Sequence, residues 1–166
     1  MTLAARPASP DDAPIIAQIY NEGIEDRVGT FETRPRTVQD VTAWFDGAHP
    51  IVVVESDGEI VAFASTSSYR SRGVYAGIAE FSVYVARHAR GKGAGTAAMR
   101  ALVDAVKPAG IWKLVSRIFV ENEASRRLMA SMGFREVGIY ERHAKLDGAW
   151  RDVVIVERLI RENQVD

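Results

Sequence analysis

The chain has 166 residues, of which 47% are hydrophobic and 26% are charged, a length and composition that suit a globular protein with its own core. Its formal net charge of -1 argues against a general nucleic-acid binder, so any basic site must be local. The absence of cysteine excludes a disulfide scaffold, a cysteine metal site and a thiol nucleophile.

Two further classes of protein are excluded by pattern. The three histidines lack the spacing of metal ligands, so we expect no metal site. The N-terminal residues contain no apolar signal segment, and no apolar run is long enough to span a membrane. We therefore expect a cytoplasmic protein that has no membrane or nucleic-acid partner.

The first half of the chain predicts a strand, two helices and the two strands of a hairpin, in that order, at residues 2–6, 9–23, 37–45, 50–55 and 60–64. The helix start is indicated by Ser9-Pro10-Asp11-Asp12, which combines capping residues, an early proline and acids in the first turn. The hairpin turn is indicated by Asp57-Gly58.

The second half predicts a strand, a helix, a strand, a helix and two strands, in that order, at residues 78–87, 93–107, 114–120, 122–133 and on either side of Asp147-Gly148. No repeat, linker or low-complexity segment interrupts this order. Helices and strands are interspersed throughout, so the sequence predicts one mixed α/β (α+β) domain that spans residues 1–166.

A glycine-rich loop at residues 90–96, Arg-Gly-Lys-Gly-Ala-Gly-Thr, lies between the strand that begins at residue 78 and the following helix. Free amides at a helix start, the helix dipole and close backbone approach at glycine together favour an anion such as a phosphate. The P-loop motif does not fit, because Lys92 is followed by Gly93, and the alternating glycines do not match the dinucleotide fingerprint. By itself the loop is equally consistent with a plain turn.

Two segments in the second half resemble the GNAT superfamily of N-acetyltransferases. Arg90 to Gly95 matches its pyrophosphate motif, which reads Gln or Arg, any two residues, Gly, any residue, Gly or Ala. Asn122 to Phe134 is similar to its Asn-x-x-Ser-x-x-Leu…Gly-Phe segment. The resemblance implies acetyl-CoA as cosubstrate and a mixed, mostly antiparallel twisted sheet of about seven strands flanked by about four helices.

The resemblance also implies how acetyl-CoA is held. The strand before the loop would pair with the pantetheine arm, the loop would bind the pyrophosphate, and the start of the last helix would reach the pantetheine side. For Asn122, a simple N-cap role is compatible with this one. The implied cofactor-binding residues are Val83, Tyr84, Val85, Arg90, Gly91, Lys92, Gly93, Ala94, Gly95, Thr96, Asn122 and Ser125.

Within the superfamily, Glu80 to Val85 is similar to the phosphinothricin, arsinothricin and methionine-sulfoximine acetyltransferase branch. Weaker similarities to this branch occur at Asn21-x-x-Ile24, Thr30-Phe31 with Pro35, Arg72-x-x-Tyr75 and Trp150-x-Asp152-Val153. The branch implies a small amino-acid acceptor with a second anionic group, a resistance role and a homodimer. Planar guanidinium groups suit such oxyanions. The implied substrate-binding residues are Arg72, Arg70, Phe31 and Tyr75.

Glu80 is the candidate general base, because an ammonium must lose a proton before it can attack a thioester. A carboxylate in an apolar strand would have a raised pKa if it were desolvated. The alternative is a structural ion pair with a basic side chain such as Arg72. Without a cysteine we expect direct transfer, with the backbone N–H of Val83 or Tyr84 stabilising the oxyanion.

The proton donor for the leaving thiolate is left open. Many family members carry Tyr after the Leu of the second motif, whereas this chain has Met129, which cannot donate. Tyr84, Tyr140 or water could replace it, or the thiolate could leave unprotonated. The segment around His143 and Lys145 is one residue longer than in the related branch, so no role is assigned to either.

Two other functions compete with this one. The first is a GNAT acetyltransferase for another amine, such as another amino acid or a protein N-terminus. The second is a CoA-binding module without catalysis, which Met129 favours and Glu80 disfavours. A nucleotide hydrolase lacks both the P-loop lysine pattern and a cluster of metal-binding carboxylates.

Overall fold

The computed structural model describes residues 2–166 and contains one seven-stranded sheet in the order β1-β2-β3-β4-β5-β7-β6. The strands and α-helices are β1 (Leu3–Pro7), α1 (Ala13–Glu25), α2 (Val38–Thr42), β2 (Ile51–Ser56), β3 (Glu59–Ser68), β4 (Ile78–Val85), α3 (Ala94–Val106), β5 (Lys113–Phe119), α4 (Glu123–Ser131), β6 (Arg135–Leu146) and β7 (Ala149–Leu159). This order confirms the mixed, mostly antiparallel fold expected from the sequence.

Strand pairing is antiparallel everywhere in the sheet except between β4 and β5. These two strands run parallel and pair only from Ile78–Lys113 to Glu80–Val115. Beyond that point β4 continues to Val85 and β5 continues to Phe119, but the two strands no longer pair with each other. The two strands therefore separate in the middle of the sheet, and a groove opens between them.

The sheet is covered by helices that meet opposite faces of β4. Side chains alternate along a strand, so Tyr84 and Val85 point to different faces. Tyr84 packs edge-on against Tyr20 of α1, with the ring centroids 5.0 Å apart. Val85 faces α3, because a Cβ placed on Gly95 would lie 3.6 Å from its Cγ2. Most of the buried apolar residues join in one core cluster around these contacts.

Several element boundaries differ from the sequence prediction, and the hairpin strand predicted at 60–64 spans Glu59–Ser68. The strand predicted at 78–87 ends at Val85, because the N–H of Arg87 donates to Glu22 Oε1 at 2.9 Å and the chain turns there. The helix predicted at 37–45 spans only Val38–Thr42. The helix expected to begin at Ser9 starts as a 3-10 turn, and its α-helical part begins at Ala13. None of the helices within residues 2–166 is long and apolar enough to cross a membrane.

Ion pairs fasten the start of the chain to the sheet. Arg6 on β1 bonds to Asp12 Oδ2 at 2.8 Å and to Glu55 Oε1 on β2 at 2.8 Å. The buried Asp12 also accepts the N–H of Ser9 at 2.9 Å, which caps the helix start. The Arg6 guanidinium, assisted by the Ser9 N–H, holds the pKa of Asp12 below its ordinary value. The guanidinium of Arg6 therefore joins β1, β2 and the helix start.

We expect Asp12→Asn to lower the free energy of unfolding by about 1–2 kcal/mol at neutral pH, because two charge-assisted contacts are weakened. Since the pKa of Asp12 is lowered in the folded state, its contribution is present above the ordinary value of 3.8 and is lost as the pH falls through the lowered pKa. Urea unfolding of wild type and variant across acidic and neutral pH measures the difference. Asp11→Asn, at the exposed neighbouring carboxylate, is the control. An equal loss in both variants, or a loss that persists at the acid end, would contradict the assignment.

Candidate active site

A cavity of about 680 Å³ lies between the separated strands β4 and β5. Its walls come from Phe81–Val85 on β4, from Ser116–Phe119 on β5, from the start of α3, from α4 along its length, and from the loop at Val28 and Gly29. The cavity exists because the sheet stops pairing after Glu80. It is long and has a glycine loop at one end, so it suits an extended ligand that carries phosphates.

The edge of β4 that faces the cavity carries unpaired backbone groups. Ser116 Oγ donates to the carbonyl of Phe81 at 2.9 Å, so that carbonyl points towards β5. Residues two positions apart share this direction, so Val83 and Val85 also turn their backbone groups to the cavity. The Val85 carbonyl accepts Arg90 Nε at 3.4 Å. Val83 thus presents a free N–H and a free carbonyl to any ligand in the groove.

The glycine loop forms the cradle at one end of the cavity. Gly91 and Gly93 have φ values of 77° and 88°, a left-handed conformation in which a side chain would be strained. Ala97 N–H makes the first bond of α3, to the Gly93 carbonyl at 3.1 Å, so the amides of residues 94–96 precede it and lack helical partners. A Cβ on Gly95 would lie 3.3 Å from Leu128 Cδ2. The bare backbone at this position keeps α3 and α4 close together.

Acidic residues of α1 organise the basic residues around this cradle. Asp26 Oδ2 accepts Arg87 Nε at 2.9 Å and Arg90 Nη1 at 2.8 Å. The Arg87 contact, followed by that of Arg90, lowers the pKa of Asp26 to about 2. Arg87 also pairs with Glu25 at 2.9 Å. Arg90 reaches the cavity already oriented by Asp26, whereas Arg87 is engaged by acids and does not line it.

Most of the residues predicted to bind the cofactor line the cavity, and two do not. Lys92 is exposed and directs its Nζ to the His88 carbonyl at 3.5 Å. Ala94 is buried behind the loop. The predicted residues that line the cavity are Val83, Tyr84, Val85, Arg90, Gly91, Gly93, Gly95, Thr96, Asn122 and Ser125.

Asn122 is confirmed as the N-cap of α4. Its Oδ1 accepts the N–H of Ser125 at 3.1 Å, and its Nδ2 donates to the Val28 carbonyl at 3.0 Å. The side chain therefore fixes both the helix start and the loop at residues 28–29, which together form one wall. An amide has two donors and two acceptor sites, so one of each is left for a ligand.

Glu80 is the last residue of β4 that pairs with β5, and it directly precedes the first cavity-lining residue of this strand, Phe81. Its side chain is 38% exposed and bonds through Oε1 to Arg117 Nη2 of β5 at 3.2 Å. The alternative considered for Glu80, an ion pair with a basic side chain such as Arg72, is thus present, but its partner is Arg117 of the neighbouring strand. The hypothesis of a general base assumed a desolvated carboxylate. Glu80 does not meet this assumption, because its side chain is partly exposed and paired with a cation.

None of the four predicted substrate residues lines the cavity itself. Arg70 lies over the Tyr69 ring at 4.8 Å, and its hydrogen bond to Tyr69, with a smaller effect of the Glu80 charge, raises the pKa of Arg70. Arg72 is exposed and makes no ion pair with any residue from 2 to 166. Tyr75 is also exposed and contacts Tyr69 edge-on, with the ring centroids 6.1 Å apart.

Phe31 contributes to the wall indirectly. Its ring meets Phe119, which lines the cavity, at a centroid distance of 5.0 Å and in a T-shaped arrangement. The ring of His143 also lies near Phe31, with the ring centroids 6.4 Å apart. This contact places His143 beside the aromatic wall, although sequence comparison gave it no role.

The two tyrosines proposed as proton donors differ in position. Tyr84 lines the cavity and is buried, and that burial raises the pKa of its hydroxyl. Its ring occupies space that a side chain at Gly23 would fill, since a Cβ there would lie 2.7 Å from Tyr84 Cδ1. Tyr140 is 52% exposed on β6 and lies outside the cavity lining. Met129 lines the cavity as a buried apolar side chain.

Several lining residues carried no recognised motif. Val28 and Gly29 follow α1 without a motif, and Arg127 lies on the exposed side of α4, where charge is ordinary. Arg117 did leave a signal, because it is a lone arginine in the apolar run Lys-Leu-Val-Ser-Arg-Ile-Phe. That placement is as unusual as the placement of Glu80 in β4.

Together, the separated strands, the free edge of β4 and the glycine cradle are typical of a transferase whose donor is extended and carries phosphates. The family model described as the acetyltransferase (GNAT) family matches residues 16–134, and the chain belongs to this family. Membership confirms the GNAT fold and the acetyl-CoA-dependent N-acetyltransferase predicted from the sequence.

Named relatives and solved structures agree with this family. The chain is 33% identical to the phosphinothricin N-acetyltransferase of Streptomyces coelicolor, over 92% of this chain and 94% of that one. It is 30% identical to the L-methionine sulfoximine/L-methionine sulfone acetyltransferase of Pseudomonas paraeruginosa, over 95% of this chain and 94% of that one. The crystal structure of a GNAT superfamily phosphinothricin acetyltransferase from Sinorhizobium meliloti in complex with AcCoA has a TM-score of 0.88 at 28% identity, covering 96% of this chain and 89% of that one.

We expect Gly95→Val to weaken acetyl-CoA binding by at least about tenfold, because a branched side chain would push against Leu128 and fill the cradle. Titration calorimetry with acetyl-CoA measures the effect. Gly138→Val on β6 is the matched control, since a Cβ there meets nothing within 4 Å. Unchanged affinity in the folded Gly95 variant would contradict the placement of the cradle.

Proposed function

We propose that this enzyme transfers the acetyl group of acetyl-CoA to the amine of a small amino acid with a second anionic group, of the phosphinothricin, arsinothricin or methionine sulfoximine type. The observation that carries the proposal is the carboxylate of Glu80, which lies where β4 and β5 separate and faces the guanidinium of Arg117. The relatives named for phosphinothricin and methionine sulfoximine support the acceptor class. Acetylation removes the positive charge of the amine, so we propose that the reaction inactivates toxic amino acids in the cytoplasm.

The residues that line the groove fit acetyl-CoA, which supplies an activated acetyl thioester when bound. The amides at the start of α3 and the side chain of Arg90 would hold the pyrophosphate. The carbonyl of Val83 and the N–H of Val85 would pair with pantetheine amides, as an added strand pairs with a sheet edge. Arg127 on α4 would add positive charge near the phosphates. The backbone groups in these roles lack a strand or helical partner, whereas Arg90 and Arg127 are each already paired with an acid.

Glu80 is proposed as the general base that takes a proton from the acceptor ammonium through its carboxylate oxygens. The Val83 N–H is proposed as the donor to the oxyanion, because it faces the cavity, whereas the N–H of Tyr84 faces β3. Since the chain has no cysteine to carry the acetyl group, the amine would attack directly within a ternary complex.

Tyr84 is proposed to assist the leaving sulfur by hydrogen bonding. Its raised pKa keeps the hydroxyl protonated, and a donor with a high pKa gives up its proton to a thiolate reluctantly. The Tyr84 hydroxyl would thus stabilise the negative charge on sulfur without full proton transfer. Arg70, Arg72, Phe31 and Tyr75 are proposed to surround the acceptor on the open side of the site.

Release of free CoA from acetyl-CoA tests the function directly. The acceptors are phosphinothricin, arsinothricin, methionine sulfoximine, an uncharged-side-chain amino acid such as methionine, and spermidine. We expect fast release with at least one oxyanion-bearing amino acid and slow release with spermidine. Turnover of spermidine alone would contradict the acceptor class, and tight acetyl-CoA binding without turnover of any acceptor would contradict catalysis.

We expect Glu80→Gln to lower kcat by about 100- to 10,000-fold, because the amide cannot accept the ammonium proton. The affinity for CoA should stay within about twofold of wild type, since Glu80 lies outside the cavity lining. Steady-state kinetics and calorimetry measure the two quantities. Glu162→Gln, at an exposed position near the C-terminus, is the control. Wild-type kcat in the Glu80 variant would rule out the general base.

We also propose that residues 1–166 form one acetyltransferase domain that assembles as a homodimer. One sheet joins every strand from Leu3 to Leu159, which supports the single domain. The 12-residue strand β6 lies at the sheet edge and exposes Val137, Ile139 and Tyr140. A long exposed edge is a template for another strand, and a two-fold contact would bury the same edge of both copies.

We expect Ile139→Lys to raise the dimer dissociation constant by at least about tenfold, because a charge would enter the contact between copies. Sedimentation equilibrium of wild type and variant measures the constant. Val165→Lys, at an exposed apolar residue far along the chain from β6, is the control. A wild-type protein that sediments as a monomer at high micromolar concentration would rule out the homodimer.

A further inference from the structure

Arg117 stands opposite Glu80 where the cavity begins to widen. The last paired residues of the two strands are Glu80 and Val115, and Arg117 follows two positions later on β5. Residues two apart share a face, so Arg117 lies on the same side of β5 as Phe119, the aromatic wall residue. Its side chain is 49% exposed and lines the cavity. The residue is therefore within reach of a ligand and of Glu80 together.

The other cations lie elsewhere. Within residues 2–166 the cavity lining contains three, Arg90, Arg117 and Arg127. Arg90 precedes α3 and is held by Asp26, and Arg127 lies on α4 and pairs with Glu123 at 3.7 Å. Arg117 is thus the cavity-lining cation at the end where Glu80 lies.

The ion pair between Glu80 and Arg117 is not a fixed structural contact. Its shortest distance is 3.2 Å, through a single guanidinium nitrogen, and both side chains are well exposed to solvent. An exposed pair with one contact is weak, so a ligand can separate it at little cost. A guanidinium has five N–H donors in a planar fork, and that fork matches a carboxylate with two parallel bonds. Arg117 therefore has donors free for a second carboxylate.

An α-amino acid carries the two charges needed to replace this pair. Its ammonium and carboxylate sit on one carbon atom, so they are about as close together as the two partners of the Glu80–Arg117 contact. A simple amine would separate the pair and leave Arg117 without a partner. An amino acid would replace one weak contact by two opposite-charge contacts, so its binding is favoured.

We propose that Arg117 binds the α-carboxylate of the acceptor, and that this exchange of partners releases Glu80 to bind the α-ammonium and take its proton. The inference rests on the proposed function and deepens it, because it assigns recognition of the α-carboxylate to one residue. The proton moves from the ammonium nitrogen to a carboxylate oxygen of Glu80, and no other bond changes. Arg117 is then a specificity-determining residue, while Arg70 and Arg72 are left for the second anionic group.

Arg117→Ala tests this with two acceptors, phosphinothricin and its analogue without the α-carboxylate, the aminopropyl methylphosphinate. We expect kcat/KM for phosphinothricin to fall by about 10- to 100-fold, mostly through KM, and kcat/KM for the analogue to change by less than about threefold. Arg117→Lys should recover only part of the loss, since an ammonium lacks the planar fork. Arg100→Ala, at an exposed arginine of α3, is the control.

The outcomes separate this inference from the proposed function. Suppose that the wild type turns over phosphinothricin, and that Arg117→Ala loses kcat/KM equally for both acceptors or for neither. This result would overturn the role of Arg117 and leave the proposed function standing. Turnover of methionine but of no anionic amino acid would overturn the acceptor class, and the comparison would then use methionine and its decarboxylated amine. If no acceptor is turned over, calorimetry measures the affinity of the enzyme–CoA complex for phosphinothricin in wild type and in Arg117→Ala. Equal affinity in the two proteins, or no detectable binding in either, overturns the inference.

Discussion

The separation of β4 from β5 after the Glu80–Val115 pair is the constraint on which the site depends. An internal strand normally bonds to neighbours on both edges, because unpaired backbone groups are costly when they leave water. Here Ser116 satisfies the Phe81 carbonyl at the fork, and the backbone of Val83 is left open to the cavity. We propose that the amides of acetyl-CoA continue this unfinished ladder of hydrogen bonds along β4.

The two ends of the groove differ in the charges that they present. The glycine end collects partial positive charge from the start of α3 and full charge from Arg90, which Asp26 holds in place from α1. The Glu80 end carries a carboxylate and a guanidinium that are partly exposed and weakly paired. This distribution of charge is consistent with the proposed placement of the phosphates of acetyl-CoA at the first end and of the acceptor at the second.

Helix α1 connects these parts although both superfamily motifs, at residues 90–95 and 122–134, lie outside it. Its Gly23 leaves room for the ring of Tyr84, and the acids at its C-terminal end fix Arg87 and Arg90. The loop that follows α1 is joined to the start of α4 by the bond from Asn122 to the Val28 carbonyl. A change in α1 would thus reach the cavity through side-chain packing, through charge and through a hydrogen bond at the same time.

The sequence by itself determined the features that depend on neighbouring residues. Glycines at 91, 93 and 95 marked the cradle, Asn122 marked the start of α4, and a lone acid in an apolar strand marked Glu80, because turn conformation, helix capping and strand alternation are all local. Only the tertiary structure decided the partners across the chain. Glu80 meets Arg117, 37 positions away, and Arg90 meets Asp26, 64 positions away. Which strands pair, and where β4 leaves β5, follows from the packing of the whole sheet, and no local pattern encodes that choice.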